Sequence, residues 1–353
     1  MSVTLRSFAK INLGLAIGLA RPDGYHALTT VYQTIALHDL VTVTARRAAK
    51  RHIVITSNDE RVPVDARNTA WKMIEKALAA LGIAAEVEIH IEKRLPVQGG
   101  LGAGSANAAA ALVALQWQIG AALLAEERMR VAAEVGSDVP LFLVGGAVLG
   151  QGRGEVVTPL PDMPAMSCVV AVPEIGVSTP AAFREWDTRH SALTPAASAD
   201  RLERLSRSVS AAWGQPHSSG VSWGIPSGPI RPKEDVPAKG DLAETPLLAL
   251  VRTGIANDFE EVVFAQYPSL ADIVRVLRGP GHSGSNQPSG LNRSGDAAVY
   301  AALSGSGSAL FGLYASAEAA DRAAGRLRDR GIVALRTETL PREQYWRTMW
   351  VET

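Results

Sequence analysis

The stretch from Leu95 to Leu112, LPVQGGLGAGSANAAAAL, limits what this chain can fold into more than any other. It passes from a strand-like approach through a glycine-rich bend into strong helix formers from Asn107 to Leu112. Gly99, Gly100, Gly102 and Gly104 remove the Cβ atoms that would forbid positive φ and hold a ligand away from the backbone. Successive amides can then converge on one anion. A helix beginning near Ser105 adds its unpaired first-turn N–H groups and the positive end of its dipole, so phosphate suits the bend. A tight strand-to-helix turn of closely packed small residues is the plainer alternative.

Two familiar phosphate loops do not fit. A P-loop ends in Gly-Lys-Ser or Gly-Lys-Thr, and no lysine follows Lys93 in this segment. A dinucleotide fingerprint needs a third glycine where Asn107 stands.

Ser2 to Leu19 has the character of a strand, and its alternation puts Lys10 and Asn12 on one face. Two polar groups side by side on an apolar strand mark either a site or the solvated face of an edge strand. Arg21 to His26, RPDGYH, contains a Pro-Asp-Gly turn presenting Tyr25 and His26. A flat aromatic beside a two-edged hydrogen-bonding ring suits a planar heterocycle, and suits ordinary surface equally. In Gly136 to Leu143, GSDVPLFL, Asp138 stands at a core edge, where a carboxylate needs a partner. Lys10 could keep it ionised and oriented toward a substrate hydroxyl. A helix N-cap at Asp138 is the competing role.

The remaining pattern predicts strands at Val31 to Leu37, Leu40 to Thr44, Ile53 to Thr56 and Val87 to Ile91. Asn68 to Leu81, Ala108 to Ile119 and Glu126 to Val135 have helical spacing. GQGRGE at 150–155 is a turn between short strands, and the Pro-Asp-Met-Pro spacing fits a domain boundary near Leu160 to Pro164. ANDFEE at 256–261 leads into a helix running through Ile273 to Leu277. Leu303 to Leu313, LSGSGSALFGL, is a second glycine-serine bend, entering a strand and offering a wall of small residues for close approach. Ala317 to Arg330 is an amphipathic helix, with a final strand from Ile332 to Glu338. Trp213 to Lys239 and Gly279 to Gly295 have no sustained periodicity and are expected to be irregular insertions.

Lysines and arginines number 35 against 35 acidic residues, so no strong field points to nucleic acid or an anionic membrane. The single cysteine, Cys168, excludes an internal disulfide framework, fits a reducing cytoplasm and sits in an apolar run expected to be a buried strand. Ile11 to Ala20 follows Arg6 and Lys10 in the manner of a signal peptide, but Asn12 interrupts it and a turn follows at once. A strand explains it better. Cytoplasm is the expected compartment, with no membrane partner.

Taken together, Ala9 to Leu13, the Pro96 to Ala110 loop, Gly136 to Pro140 and Leu303 to Ala309 resemble the GHMP small-molecule kinases. RPDGYH, TTVYQTI, EKRLPVQGGLGAGSANAAAALVAL, GSDVPLFL, GVSTPAAF, ANDFE and LSGSGSALF run in the order of its branch acting on a cytidine diphosphate conjugate of methylerythritol. The resemblance covers most of the chain outside the insertions. It implies an α+β, two-domain fold: a ribosomal-S5-like N-terminal domain at 1–162, and a ferredoxin-like C-terminal domain at 163–353 with insertions near 190–245 and 279–297. It implies ATP and Mg²⁺ as cofactors, with the metal's ligands left open, and phosphorylation of the 2-hydroxyl of the methylerythritol portion of the conjugate.

Carried over by position, Asp138 looks like the base or hydroxyl-orienting carboxylate and Lys10 its electrostatic partner. Pro96, Val97, Gln98, Gly99, Gly100, Leu101, Gly102, Ala103, Gly104, Ser105 and Ala106 look like the triphosphate cradle, and Asn68 an adenine-pocket residue. Tyr25 and Phe183 resemble a pair that sandwiches cytosine, with His26 reading its polar edge. Asn12, Tyr32 and Thr179 are further substrate contacts on the same ground. Ala103 replaces a usual glycine and Ala106 a usual serine, which points to weaker ATP affinity through a restricted φ and a lost hydroxyl. Another GHMP kinase, acting on mevalonate, homoserine or a sugar, is the neighbouring alternative. A non-catalytic nucleotide-binding relative is the other.

Overall fold

The computed structural model describes residues 2–97, 99–213, 245–279 and 296–352. Most of the two insertions and Gln98 lie outside the described residues.

The chain opens with two long antiparallel strands, β1 (Val3–Ala20) and β2 (His26–Arg47). Sequence alternation predicts two strands where β2 is one, because tertiary pairing carries the ladder through Leu37 to Asp39: β1 runs along one side, while the other side pairs with β5 (Ala147–Gln151) at Thr30 to Gln33 and with β4 (Ala85–Glu92) at Leu40 to Arg47. Next come β3 (His52–Ser57), helix α1 (Thr69–Ala80), β4 (Ala85–Glu92) and α2 (Ala103–Ile119). Helices α3 (Ala125–Val135) and α4 (Val139–Phe142) lead to β5 (Ala147–Gln151) and β6 (Val156–Pro159). These six strands form one sheet, in which β3 and β4 are parallel and the other pairs antiparallel.

A second, antiparallel sheet has the order β10-β7-β9-β8, with β7 (Ser167–Val172), β8 (Tyr300–Leu303), β9 (Leu310–Tyr314) and β10 (Val333–Glu338). The rest of the described chain forms α5 (Thr179–Arg189), α6 (Pro195–Trp213), α7 (Pro246–Arg252), α8 (Phe259–Gln266), α9 (Pro268–Arg278), α10 (Ala317–Arg328) and α11 (Arg342–Met349), of which α6 and α11 pack on the first sheet. The helix expected to continue from ANDFEE breaks in two at Tyr267, where Pro268 starts α9. Residues 195–213, within the first expected insertion, are helical.

Three apolar layers follow. The outer face of the first sheet buries α1 and α2, and Tyr345, Trp346 and Met349 of α11 return to this core. Ala9, Ile11 and Leu13 meet Cys168, Val170, Phe311 and Leu313 between the sheets. The far face of the second sheet, Val169 and Ala171, packs α8 to α10. Cys168 is buried on β7 as expected, and burial pushes its thiol far above its ordinary range.

Lys10 and Asn12 are respectively 3% and 1% exposed, so their face of β1 is not solvated. Polar groups buried this way must be satisfied by one another. That requirement builds the site.

Candidate active site

Helix α2 starts two residues earlier than its sequence suggests, at Ala103, immediately after Gly102 with φ 71°. No side chain caps it, so its first N–H groups face the glycine loop without an internal partner. A Cβ on Gly102 would lie 2.9 Å from the Phe142 ring and 3.0 Å from Cγ of Lys10. Only glycine lets the loop rest on that lysine. The loop is also tied to the strand: Lys10 N donates to Leu101 O at 3.0 Å. Ala103 is helical, so the restriction its methyl puts on φ is of no consequence there; Ala106 is buried in the same helix.

The approach to the loop is clamped from β2. Asp39, fully buried, accepts from Lys93 Nζ at 2.6 Å and from the backbone N–H groups of Arg94 and Leu95 at 2.8 Å. Burial pulls the Lys93 ammonium below its ordinary value, opposed by Asp39. The carboxylate therefore fixes where the bend begins.

Under the loop lies a connected polar chain. Lys10 Nζ is 3.5 Å from Asp138 Oδ2 and donates to Asn12 Oδ1 at 2.7 Å. Asn12 Nδ2 donates to Thr30 Oγ1 at 2.8 Å, and that hydroxyl donates to Gly14 O at 2.7 Å. Tyr32, directly opposite Asn12 on β2, donates its hydroxyl to Asp138 Oδ1 at 2.9 Å. Burial, reinforced by Asp138, raises the Tyr32 phenol well above its usual range, so it stays a donor. Asp138 does occupy the N-cap position of α4, yet its side chain makes no capping bond. Its side chain is 30% exposed, so the carboxylate is open to a ligand while Lys10 beneath it is sealed.

A second cluster, at the turn before β2 and on α5, is built by side chains. The ring stacked on Phe183 is His26, at 4.4 Å and 11°, rather than Tyr25. Tyr25 is 51% exposed, with the Arg153 guanidinium over its ring at 4.7 Å. His26 Nε2 lies 2.7 Å from Asp187 Oδ1. Thr179 and Ser306 share a hydroxyl contact of 2.6 Å. Asn68 caps α1 through Ala70 N and donates to Pro63 O.

Sequence reasoning did not single out Asp187 or Asp39. Asp187 carried a signal, since it lies one helical turn after Phe183. Asp39 carried none, since it falls between the two strands that alternation predicts.

Residues 68–146 match the signature of the GHMP kinases N terminal domain. A 4-diphosphocytidyl-2-C-methyl-D-erythritol kinase of Solibacter usitatus is 35% identical over 90% of this chain and 83% of its own. The enzyme of that name from Streptomyces coelicolor is 34% identical over 94% of each chain. The crystal structure of a 4-(cytidine 5'-diphospho)-2C-methyl-D-erythritol kinase superposes with a TM-score of 0.62 at 28% identity, covering 95% of this chain and 98% of that one. A homoserine kinase from Cytophaga hutchinsonii reaches a TM-score of 0.66 at 19% identity, over 98% of this chain and 96% of its own, which speaks for the fold alone. The fold and site define a GHMP kinase of the α+β type, an ATP-dependent small-molecule kinase. Within that class, the chain belongs to the 4-diphosphocytidyl-2-C-methyl-D-erythritol kinase family.

Proposed function

We propose that the chain transfers the γ-phosphoryl group of ATP to the 2-hydroxyl of 4-diphosphocytidyl-2-C-methyl-D-erythritol, a step of non-mevalonate isoprenoid precursor synthesis. The observation that carries this reading is the buried Lys10 reaching both Asp138 and Asn12 beneath an uncapped helix N-terminus. Phosphoryl transfer asks chiefly for positioning and for stabilisation of charge on the transferred group. The α2 amides and glycine loop hold the phosphates. Asp138 orients the attacking hydroxyl and accepts its proton, while Tyr32 holds the carboxylate's other oxygen and Lys10 offsets the negative charge.

Among the described residues no group of three or more His, Cys, Asp or Glu side chains could hold a metal. Mg²⁺, the metal the family resemblance implies, is commonly carried by phosphate oxygens and water with one or two protein ligands, and would neutralise phosphate charge. The cytidine group is read at the other end by Tyr25, His26 and Phe183, with Thr179 nearby, and Asn68 borders the adenine. Its binding energy then serves to align a distant hydroxyl. A unit at 1–162 carrying the ATP site together with Tyr25 and His26, and a unit at 163–353 carrying Thr179 and Phe183, belong to the same proposal.

The test is ATP consumption by the purified protein with the cytidine diphosphate conjugate, beside mevalonate, homoserine and galactose, with Asp138→Asn as control. Turnover confined to the cytidine conjugate and dependent on Asp138 is the expected result. Turnover on another alcohol with no advantage from the cytidine group would replace the substrate, and ATP binding without turnover on any would leave a nucleotide-binding protein.

A further inference from the structure

ANDFEE and the second glycine-serine bend are left without a role by the chemistry above, and the structure joins them. Residues 256 to 258 lie alongside β1: Leu15 N donates to Ala256 O at 3.0 Å, and Asp258 N donates back to Leu15 O at 2.9 Å. Asp258 Oδ2 also accepts from Ile17 N and from Arg201 Nε. This anchors the motif to the strand that carries Lys10 and Asn12.

From that anchor Asn257, 2% exposed, reaches across to the bend. Its Nδ2 donates to Leu303 O at 2.9 Å and Gly305 O at 2.7 Å, while its Oδ1 accepts from Phe259 N at 3.0 Å. Both amide hydrogens are thus committed. One turn later Glu260 Oε1 accepts from Leu303 N at 2.8 Å. The bend is gripped at both its carbonyls and the N–H at its entrance.

What the bend touches gives the grip its meaning. Ser304 Oγ donates to Gly100 O at 2.9 Å, and Ala309 N donates to Gly99 O at 3.1 Å. A Cβ on Gly100 would stand 2.0 Å from Ser304 O. On its other side, a Cβ on Gly305 would meet Lys10 Nζ at 3.4 Å and Asn12 Oδ1 at 3.5 Å. The bend is therefore wedged between the phosphate loop and the Lys10–Asn12 pair, and a shift of either carbonyl held by Asn257 moves both.

We infer that Asn257, assisted by Glu260, is a positioning residue for the ATP phosphates: it acts through the Ser304 to Ser308 bend to seat Gly99 and Gly100 over Lys10. The inference rests on the ATP-site reading proposed above. Asn257→Asp keeps the oxygen facing Phe259 N and turns the donor into an acceptor against two carbonyls, so it attacks the grip with little change of shape. Glu260→Ala removes the hold on Leu303, whereas Glu260→Gln retains an acceptor oxygen.

Calorimetric titration of ATP and, separately, of cytidine diphosphate needs no turnover. Asn257→Asp is expected to weaken ATP by about tenfold and cytidine diphosphate by less than about twofold. Glu260→Ala should weaken ATP about threefold, and Glu260→Gln should recover most of that loss. Equal weakening of both ligands, or of neither, in folded Asn257→Asp protein would overturn the inference. Should that variant fail to fold, identical ATP affinities for the two Glu260 variants would overturn it as well. A wild-type protein that binds no ATP would instead sink the reading beneath it.

Discussion

The two clusters of the proposed site are made by different means. The proposed phosphate end joins backbone to buried side chains: an uncapped helix, a glycine loop clamped by Asp39, and a polar chain in which Lys10, Asn12 and Thr30 satisfy one another out of solvent. The proposed recognition end consists of side chains from a turn and from α5, with Tyr25 half exposed and His26 resting on Phe183. A charge-handling site gains from groups fixed before the ligand arrives, since reorganisation would cost part of the electrostatic benefit. A flat apolar base is held by rings that can move onto it. Substitutions should therefore separate cleanly, with turnover sensitive at one end and substrate affinity at the other.

The largest effect is expected at Asp138. Asp138→Asn should cut kcat by about a thousandfold while the ATP dissociation constant stays within a few fold, read by steady-state kinetics beside calorimetry. Unchanged turnover would remove the carboxylate from the chemistry.

Next comes a stability effect beside the bend. Burial raises the Glu260 carboxyl from 4.5 to about 7, with Leu303 N–H and Arg278 opposing, and Tyr300 faces the same carboxyl from β8. Between those values the native state holds a proton that the unfolded chain releases. The stability this contributes is complete below 4.5 and is lost as pH rises through about 7. Denaturant titrations should show wild type losing up to about 3 kcal/mol relative to Glu260→Gln between pH 5 and 8. A constant difference across that range would mean the carboxyl is not held protonated.

At the recognition end, Phe183→Ala and His26→Ala should each raise KM for the cytidine substrate by about tenfold and leave KM for ATP unaltered. An effect on ATP alone would merge the two ends. The smallest change is expected from Tyr32→Phe, which removes one hydrogen bond to Asp138 and should lower kcat about fivefold with both affinities kept. If KM for the cytidine substrate rose in its place, Tyr32 would be a substrate contact, as the family resemblance implies, rather than an orienting group.

Local sequence anticipated α1, α2 and α3 within a residue or two, because each shows its own periodicity or its own glycine bend. The continuity of β2 was not legible, since only its pairing with β1 spans the junction, at His38 and Asp39, with β5 and β4 held on either side of it. Helix α11 was missed for a similar reason: it is short, and its apolar residues make sense only against the first core. Within the site, Lys10 with Asn12 could be read from strand alternation, and Asp138 from its glycine-proline setting. Which of its two roles Asp138 takes was open in sequence; the structure shows the side chain turned away from the helix and toward Tyr32 and Lys10.

By itself, the sequence determined the class of loop, the helix behind it and the identities of the charged pair, because glycine conformational freedom, helix propensity and alternation act within a few residues of chain. Only the tertiary structure decided which buried polar groups satisfy which. Asp39 finds Leu95, Tyr32 finds Asp138, His26 finds Asp187 and Asn257 finds Leu303 across separations of 56, 106, 161 and 46 residues. A polar atom taken out of water must be paired, but the partner is chosen by packing, and packing is set by the whole core at once.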